Sequence, residues 1–330
     1  MSASRPRLSV VCPAYQEEEV LPIFHTELSR ALAPLAAEFP TEVVYVDDGS
    51  TDGTLAVLRR LAAADPRVRY LSFSRNFGHQ AAVTAGLEHA RGDLVVSLDT
   101  DLQHPPALIP VLIDEWRKGY DLVLTEREYP PATGWFKRVS SAWFYHVMGR
   151  LSNVPVKPAA SDFRLMSRPA VDAVLRMREA HRFLRGMVSW VGFKVVSVPF
   201  RAAERAAGHT RFTFRSLMRL ASDGLLSFSS LPLRLPLYAG AGLLLLAALH
   251  ALLVPTCALL GAGVGPWALH VTAGLTLWLN GLVLTSVGVL GEYLGRVYEQ
   301  VKQRPLYVLR ETSVDSGAQR SLGPPGNAAA

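Results

Sequence analysis

The sequence predicts an α/β domain on a doubly wound, mostly parallel sheet, followed by a C-terminal hairpin of two transmembrane helices. Two observations carry this. From Leu8 to Thr125 short apolar runs alternate with stretches of helical periodicity, the pattern of strands joined by crossover helices. Leu235–Gly291 then contains no Asp, Glu, Lys or Arg, in a chain where 19% of residues are charged. A spanning helix needs about 20 apolar residues, so this stretch holds two spans and a turn. The turn is Gly261-Ala-Gly-Val-Gly265-Pro266, because glycine and proline interrupt helices rather than extend them.

Taken in order, residues 1–6 read as a loose tail and Leu8–Cys12 as a strand stopped by Pro13. Helical periodicity covers 20–37. A strand over Glu42–Val46 ends in Asp47-Asp48-Gly49-Ser50, and Asp52–Ala63 is helical. Val68–Phe73 is a strand, Gln80–Ala90 a helix, and Asp93–Leu98 a strand running into Asp99. Ala107–Lys118 is a helix and Leu122–Thr125 a strand. Trp135–Leu151, Arg164–Arg178 and Phe183–Gly192 read as helical, and Lys194–Pro199 as a strand. Phe214–Leu226 sets Arg215 and Arg219 opposite leucines and a methionine, which suits a helix in the headgroup plane. From Glu311 the chain is rich in Ser, Gly, Pro and Ala and reads as a disordered tail. The expected organisation is a cytoplasmic soluble domain over 1–212, an interfacial segment over 213–232, spans over 233–260 and 267–291, and a cytoplasmic basic segment with tail over 292–330.

The net charge of +6 suits nucleic acid, anionic lipid or phosphorylated substrates. Nucleic acid is disfavoured because the basic residues are dispersed and thickest beside the apolar stretch. Arg215, Arg219 and Arg234 precede the first span, and Arg296, Lys302, Arg304 and Arg310 follow the second. The positive-inside rule puts both flanks, and the soluble domain with them, on the cytoplasmic face of the cell membrane. No signal peptide is expected, since Glu17-Glu18-Glu19 follows only a short apolar run. Cys12 and Cys257 have no CxxC spacing and read as small apolar side chains. Gly274, Gly281, Gly288 and Gly291 would let spans pack closely in a homo-oligomer.

In a doubly wound sheet ligands bind at the carboxyl ends of the strands, and the polar clusters fall there. Leu94-Val-Val-Ser-Leu-Asp99-Thr-Asp101-Leu-Gln103 delivers two carboxylates at i and i+2, which share a face in an extended chain. Two hard carboxylates without histidine or cysteine partners suit Mg²⁺ or Mn²⁺ bridged to phosphate oxygens. A second acidic loop, Val46–Gly53, offers Asp48 to a base ring N–H, and its Gly49 would admit a ligand closely. Ser50-Thr51-Asp52 also reads as a helix N-cap. Neither G-x-G-x-x-G nor G-x-x-x-x-G-K-[ST] occurs, against dinucleotide redox and P-loop chemistry.

Pro13-Ala-Tyr-Gln-Glu-Glu18, Val46-Asp-Asp-Gly-Ser-Thr-Asp52, Arg75-Asn-Phe-Gly-His-Gln80 and Asp99-Thr-Asp-Leu-Gln-His-Pro-Pro106 together resemble family 2 glycosyltransferases of the GT-A fold. More narrowly they resemble the polyprenyl-phosphate group, the dolichol-phosphate mannose synthases and bactoprenol glucosyltransferases. The resemblance continues through Asp162–Arg168, Arg182–Trp190, Gly291–Tyr298 and Lys302–Tyr307, and so covers roughly residues 8–310. Gln16 stands where the family usually has Asn, and His104 where it has Asp or Asn; His104 is given no role.

The resemblance implies inverting sugar transfer from a UDP- or GDP-sugar to polyprenyl phosphate. It implies a nucleotide pocket from Pro13, Tyr15, Glu17, Asp48 and Asp99, and a metal on Asp99, Asp101 and Gln103. The acceptor phosphate would sit near Arg127, Lys137 and Ser141, and Arg205–Arg211 would close over donor and acceptor. Asp162 matches a carboxylate proposed as base or orienting group. A phosphate monoester has a second pKa near 6 and is already ionised at neutral pH, which favours acceptor positioning, by Arg127 or Arg164, over proton abstraction by Asp162. Two rivals are weaker. A polysaccharide synthase lacks support because there is no Q-x-x-R-W and only one hairpin. A non-catalytic nucleotide-sugar-binding subunit is disfavoured by the intact acidic pair.

Overall fold

The computed structural model describes residues 5–128, 160–201, 231–261 and 266–314. The chain forms two compact units, one holding the sheet together with the chain from Pro305 onward, the other holding the two long apolar helices.

The first unit alternates strand and helix. The order is β1 (Leu8–Ala14), α1 (Leu21–Leu32), β2 (Thr41–Asp47), α2 (Thr54–Ala64), β3 (Val68–Phe73), α3 (His79–His89), β4 (Leu94–Ser97), α4 (Ile109–Arg117) and β5 (Leu122–Glu128). It continues with β6 (Ala160–Ser167), α5 (Arg168–Arg176), α6 (Leu184–Trp190), β7 (Val195–Arg201) and β8 (Leu309–Thr312). The eight strands lie in the order β7-β5-β6-β4-β1-β2-β3-β8. β1 runs parallel to β2 and β4, β2 to β3, and β5 to β7; β6 is antiparallel to both of its neighbours, and β8 to β3.

Side-chain alternation along β2 divides the core between the two faces of the sheet. Val43 and Tyr45 pack with Phe24 and Leu28 of α1, Leu58 of α2 and Leu112 of α4, whereas Val44 and Val46 pack with Ala82 and Ala85 of α3. Buried aliphatic and aromatic side chains of this kind contribute roughly 1.5–3 kcal/mol each. α3 lies so close to β1 that a Cβ on Gly86 would stand 2.1 Å from Val11 Cγ1, so only glycine fits there.

Two expectations are corrected. Residues 164–167 belong to β6 rather than to a helix: Phe163 and Leu165 are fully buried, and α5 begins only at Arg168, with Pro169 setting its first turn. Residues from Glu311 were expected to be tail, yet Leu309–Thr312 is a strand on the β3 edge, tied by Glu311 to Arg59 and Tyr70.

In the second unit α7 (Leu231–Leu259) and α8 (Trp267–Val301) are each long and apolar enough to cross a membrane. α8 runs ten residues past the expected end of its span. Its last turns are polar and carry an i,i+4 pair, Arg296 to Glu292 at 3.3 Å, that supports helix beyond the apolar part.

Candidate active site

Loops at the carboxyl ends of β1, β2 and β4 build one side of the site. Asp47 caps β2, accepting from the Ser50 N–H at 2.9 Å and the Ser72 hydroxyl at 2.7 Å. Ser50 Oγ accepts from the Gln16 N–H, Thr54 Oγ1 from the Glu17 N–H, and Glu18 from the Gly53 N–H, so the first two loops are fastened together. This bonding holds Gln16 at φ 55 and sets Tyr15 and Glu17 beside the second loop.

The second loop differs from expectation. Gly49, at φ +67, is approached by the backbone of Arg75 rather than by a ligand: a Cβ there would lie 2.2 Å from the Arg75 carbonyl carbon. Asp48 is buried and accepts from the Phe77 N–H at 2.7 Å and the Gly78 N–H at 3.0 Å. Burial raises its pKa, and these two donors only partly offset that. Asp48 therefore anchors the turn that starts α3. The helix N-cap of α2 falls on Gly53, and Asp52 contributes through its bond from the Thr54 N–H.

β4 stops at Ser97, so Asp99 and Asp101 leave the sheet on a bent segment rather than an extended one. Asp101 Oδ1 accepts from the Gln103 N–H at 3.0 Å, a turn that puts Leu102 at φ 60. Thr100 ties this segment to the Pro13 carbonyl at 3.2 Å. Asp99 and Asp101 are both partly exposed, and no group of three or more His, Cys, Asp or Glu among the described residues could hold a metal alone. That donor set fits an ion which takes one or two protein carboxylates and completes its shell with waters and phosphate oxygens.

Two histidines converge on Asp99, and sequence reasoning gave neither a role. His104 Nδ1 accepts from the Asp99 N–H at 3.2 Å, which fixes its tautomer so that Nε2–H donates to Ser161 Oγ at 2.6 Å. The ring packs against Phe163 and Phe200. His104 thereby braces the acidic segment against β6, with both ring nitrogens engaged. His79, the first residue of α3, places Nε2 3.6 Å from Asp99 Oδ1 and 3.6 Å from Asp162 Oδ2. The signal lies in Arg75–Gln80, whose one histidine has no partner spacing in the sequence to mark it.

Asp162 lies near the start of β6. Because β6 is antiparallel to β4, its beginning reaches the edge where the parallel strands end: Ser97 pairs with Arg164, and the Ser97 hydroxyl donates to the Asp162 carbonyl at 2.8 Å. The Asp162 carboxylate accepts from Arg164 at 2.5 Å and from Arg185 of α6 at 2.9 and 3.2 Å. Burial would raise its pKa, but Arg185, His79 and Arg164 prevail and hold it well below the usual carboxylate range. Arg164 is committed to Asp162 with its side chain 3% exposed, so it does not reach out towards an acceptor. Arg127 is exposed at the end of β5, just beyond Glu126, whose ladder partner is Ala160. Lys137, Ser141, Arg205 and Arg211 lie outside the described residues.

Burial lowers the His79 pKa, yet Asp99 and Asp162 outweigh it and carry it to about 9. A raised histidine pKa stabilises the fold below its unfolded value of about 6.5, and the contribution is lost as pH rises through the folded value. In metal-free protein the melting temperature of wild type should therefore exceed that of His79→Gln most at pH 6, with the gap closing by pH 10. A gap independent of pH would rule out the charged bridge.

The description glycosyl transferase family 2 matches residues 9–175, which contain both acidic loops, His79 and Asp162. A glycosyltransferase of Synechocystis sp. is 39% identical over 305 residues, covering 92% of this chain and 95% of the relative. A prophage bactoprenol glucosyl transferase homolog of Escherichia coli is 39% identical over 306 residues, covering 92% of this chain and 98% of the relative. A solved glucosyl-3-phosphoglycerate synthase from Mycobacterium tuberculosis matches 67% of this chain and 78% of its own, at 21% identity and a TM-score of 0.43. By the family match and by near full-length identity to its relatives, this chain belongs to glycosyl transferase family 2 and is a glycosyltransferase with a GT-A-like catalytic sheet.

Proposed function

We propose that the protein transfers a sugar from a UDP- or GDP-sugar to polyprenyl phosphate at the cytoplasmic face of a membrane, with inversion. One observation carries this reading: the Asp99/Asp101 pair follows β4 in a family 2 chain that also has two membrane-length helices. The relatives named bactoprenol glucosyl transferases, at 38–39% identity over nearly their whole length, support the acceptor class.

In this reading Asp99 and Asp101, with Gln103 beside them, hold Mg²⁺ or Mn²⁺, which when bound neutralises charge on the departing nucleoside diphosphate. Pro13, Tyr15, Glu17 and Asp48 border the nucleotide. An acceptor phosphate oxygen attacks the anomeric carbon, the bond from that carbon to the diphosphate oxygen breaks on the opposite face, and the configuration inverts. The acceptor is already ionised near neutrality because its second pKa is about 6, so no base is required. The arginine grip on Asp162 supports that mechanism, since a carboxylate so stabilised is a poor proton acceptor. Arg127, with Lys137 and Ser141 from outside the described residues, binds the acceptor phosphate, and Arg205 and Arg211 serve the diphosphate.

The decisive experiment offers a panel of nucleotide-sugars with a short-chain polyprenyl phosphate and reads the mass of the lipid product. A single sugar-phospholipid species from one donor supports the reading. Donor hydrolysis alone, or sugar on a polymer, overturns it. The topology has its own test: a cysteine at Leu260, which is 78% exposed just past α7, should label from outside the cell, and one at Arg310 should not. The reverse pattern would refute the cytoplasmic site.

A further inference from the structure

We infer that Tyr307, on the chain that follows α8, is a positioning residue for the transfer site, acting through both ends of α3. Its ring stacks on Phe73 with centroids 4.8 Å apart and planes at 14°, and Phe73 meets Phe77 edge-on at 5.7 Å. Phe77 belongs to the turn that Asp48 holds by its N–H groups, and His79 opens the helix two residues later. At the other end of α3, the Tyr307 hydroxyl donates to Glu88 at 2.6 Å. Tyr307 therefore grips the turn before His79 through two aromatic contacts and the last turn of the same helix through a hydrogen bond.

A second line leads to Asp162. Arg182 faces Glu88, Glu179 and Tyr307, and its Nε and one Nη are buried with no hydrogen-bond partner among the described residues. Two residues on, the Leu184 N–H donates to Gln80 of α3 at 3.0 Å, and Arg185 holds Asp162. Helices α3 and α6 bring His79 and Arg185 to one carboxylate; Tyr307 is bonded to α3 and lies near Arg182, on the chain leading into α6. Leu309 and Val314 complete the apolar cluster beneath α3. The other anchor of this segment, Glu311, bonds Arg59 of α2 and Tyr70, apart from α3.

This inference rests on the site proposed above, so its test includes a measurement made without substrate. Tyr307→Ala should speed amide exchange in residues 75–80 and 184–190 of metal-free full-length protein. It should also lower kcat by about tenfold to a hundredfold, the scale of misplacing a reacting group from a distance, with KM for the nucleotide-sugar within about threefold. Glu311→Ala loosens the same segment on its other side and should change neither exchange at those residues nor kcat. Wild-type kcat in Tyr307→Ala, or equal losses of kcat and exchange protection in the two variants, overturns the assignment. If Tyr307→Ala does not fold, Glu88→Ala removes the same tie from the α3 side, and wild-type exchange and kcat there overturn it equally. Faster exchange without any detectable transfer from the panel of donors would count against the substrate reading alone.

Discussion

Asp101→Asn is expected to lose sugar transfer by at least about two orders of magnitude, the scale of removing one preorganised charge from a transfer site. The fold should be unaffected, because Oδ1 of asparagine still accepts the Gln103 N–H that closes the turn at 3.0 Å. Steady-state turnover with Mg²⁺ or Mn²⁺ as the sole divalent ion, alongside a melting curve, separates the two effects. Near-wild-type turnover would remove Asp101 from the metal site.

Asp162→Asn is expected to act in the opposite sense, on stability more than on chemistry. The carboxylate balances Arg164, whose side chain is 3% exposed, and Arg185. Removing one partner of such a buried pair costs about 3–5 kcal/mol. For a domain of this size that is a fall in Tm of roughly 6–20 °C. The depressed pKa means the carboxylate's contribution is present above the ordinary carboxylate range and is lost as pH falls, so the deficit should be full at pH 7 and shrink only in acid. Transfer should remain measurable, since the acceptor phosphate supplies its own charge. A folded, wholly inactive variant that binds both substrates would make Asp162 the proton acceptor and end the base-free mechanism.

The contrast between these residues tracks what a sequence can reveal. Local pattern was enough for β1 to β4 and the helices between them, because apolar runs and 3.6-residue periodicity report burial directly. The acidic pair was legible for the same reason, as it follows the run Leu94–Ser97. The geometry argued for it was not, because the strand ends before Asp99 and a turn takes over. β6 was hidden because Arg164 is a charged residue in a buried strand, and Asp162, two residues away, shares its face and partners it only if the segment is extended rather than helical. β8 was hidden because its ladder lies far away in sequence: Thr312 bonds Tyr70, 242 residues earlier. Gly49 offers itself to a ligand in sequence, and only tertiary structure reveals that the Arg75 backbone lies where its side chain would point. His79 and His104 give no signal in sequence, because a lone histidine has no spacing, only neighbours.

The antiparallel run of β6 beside β4 has one further consequence. The pairing of Ser97 with Arg164 sets Asp162 opposite the end of β4, and Thr100 and His104 hold the bent segment that carries Asp99 beside it. β5, which follows Asp99 in sequence, pairs with β6 as well, so both neighbours of β6 hold Asp162 at this edge of the sheet. Insertions or deletions at positions 129–159, which hold none of the β4–β6 rungs, should therefore leave the two carboxylates their spacing.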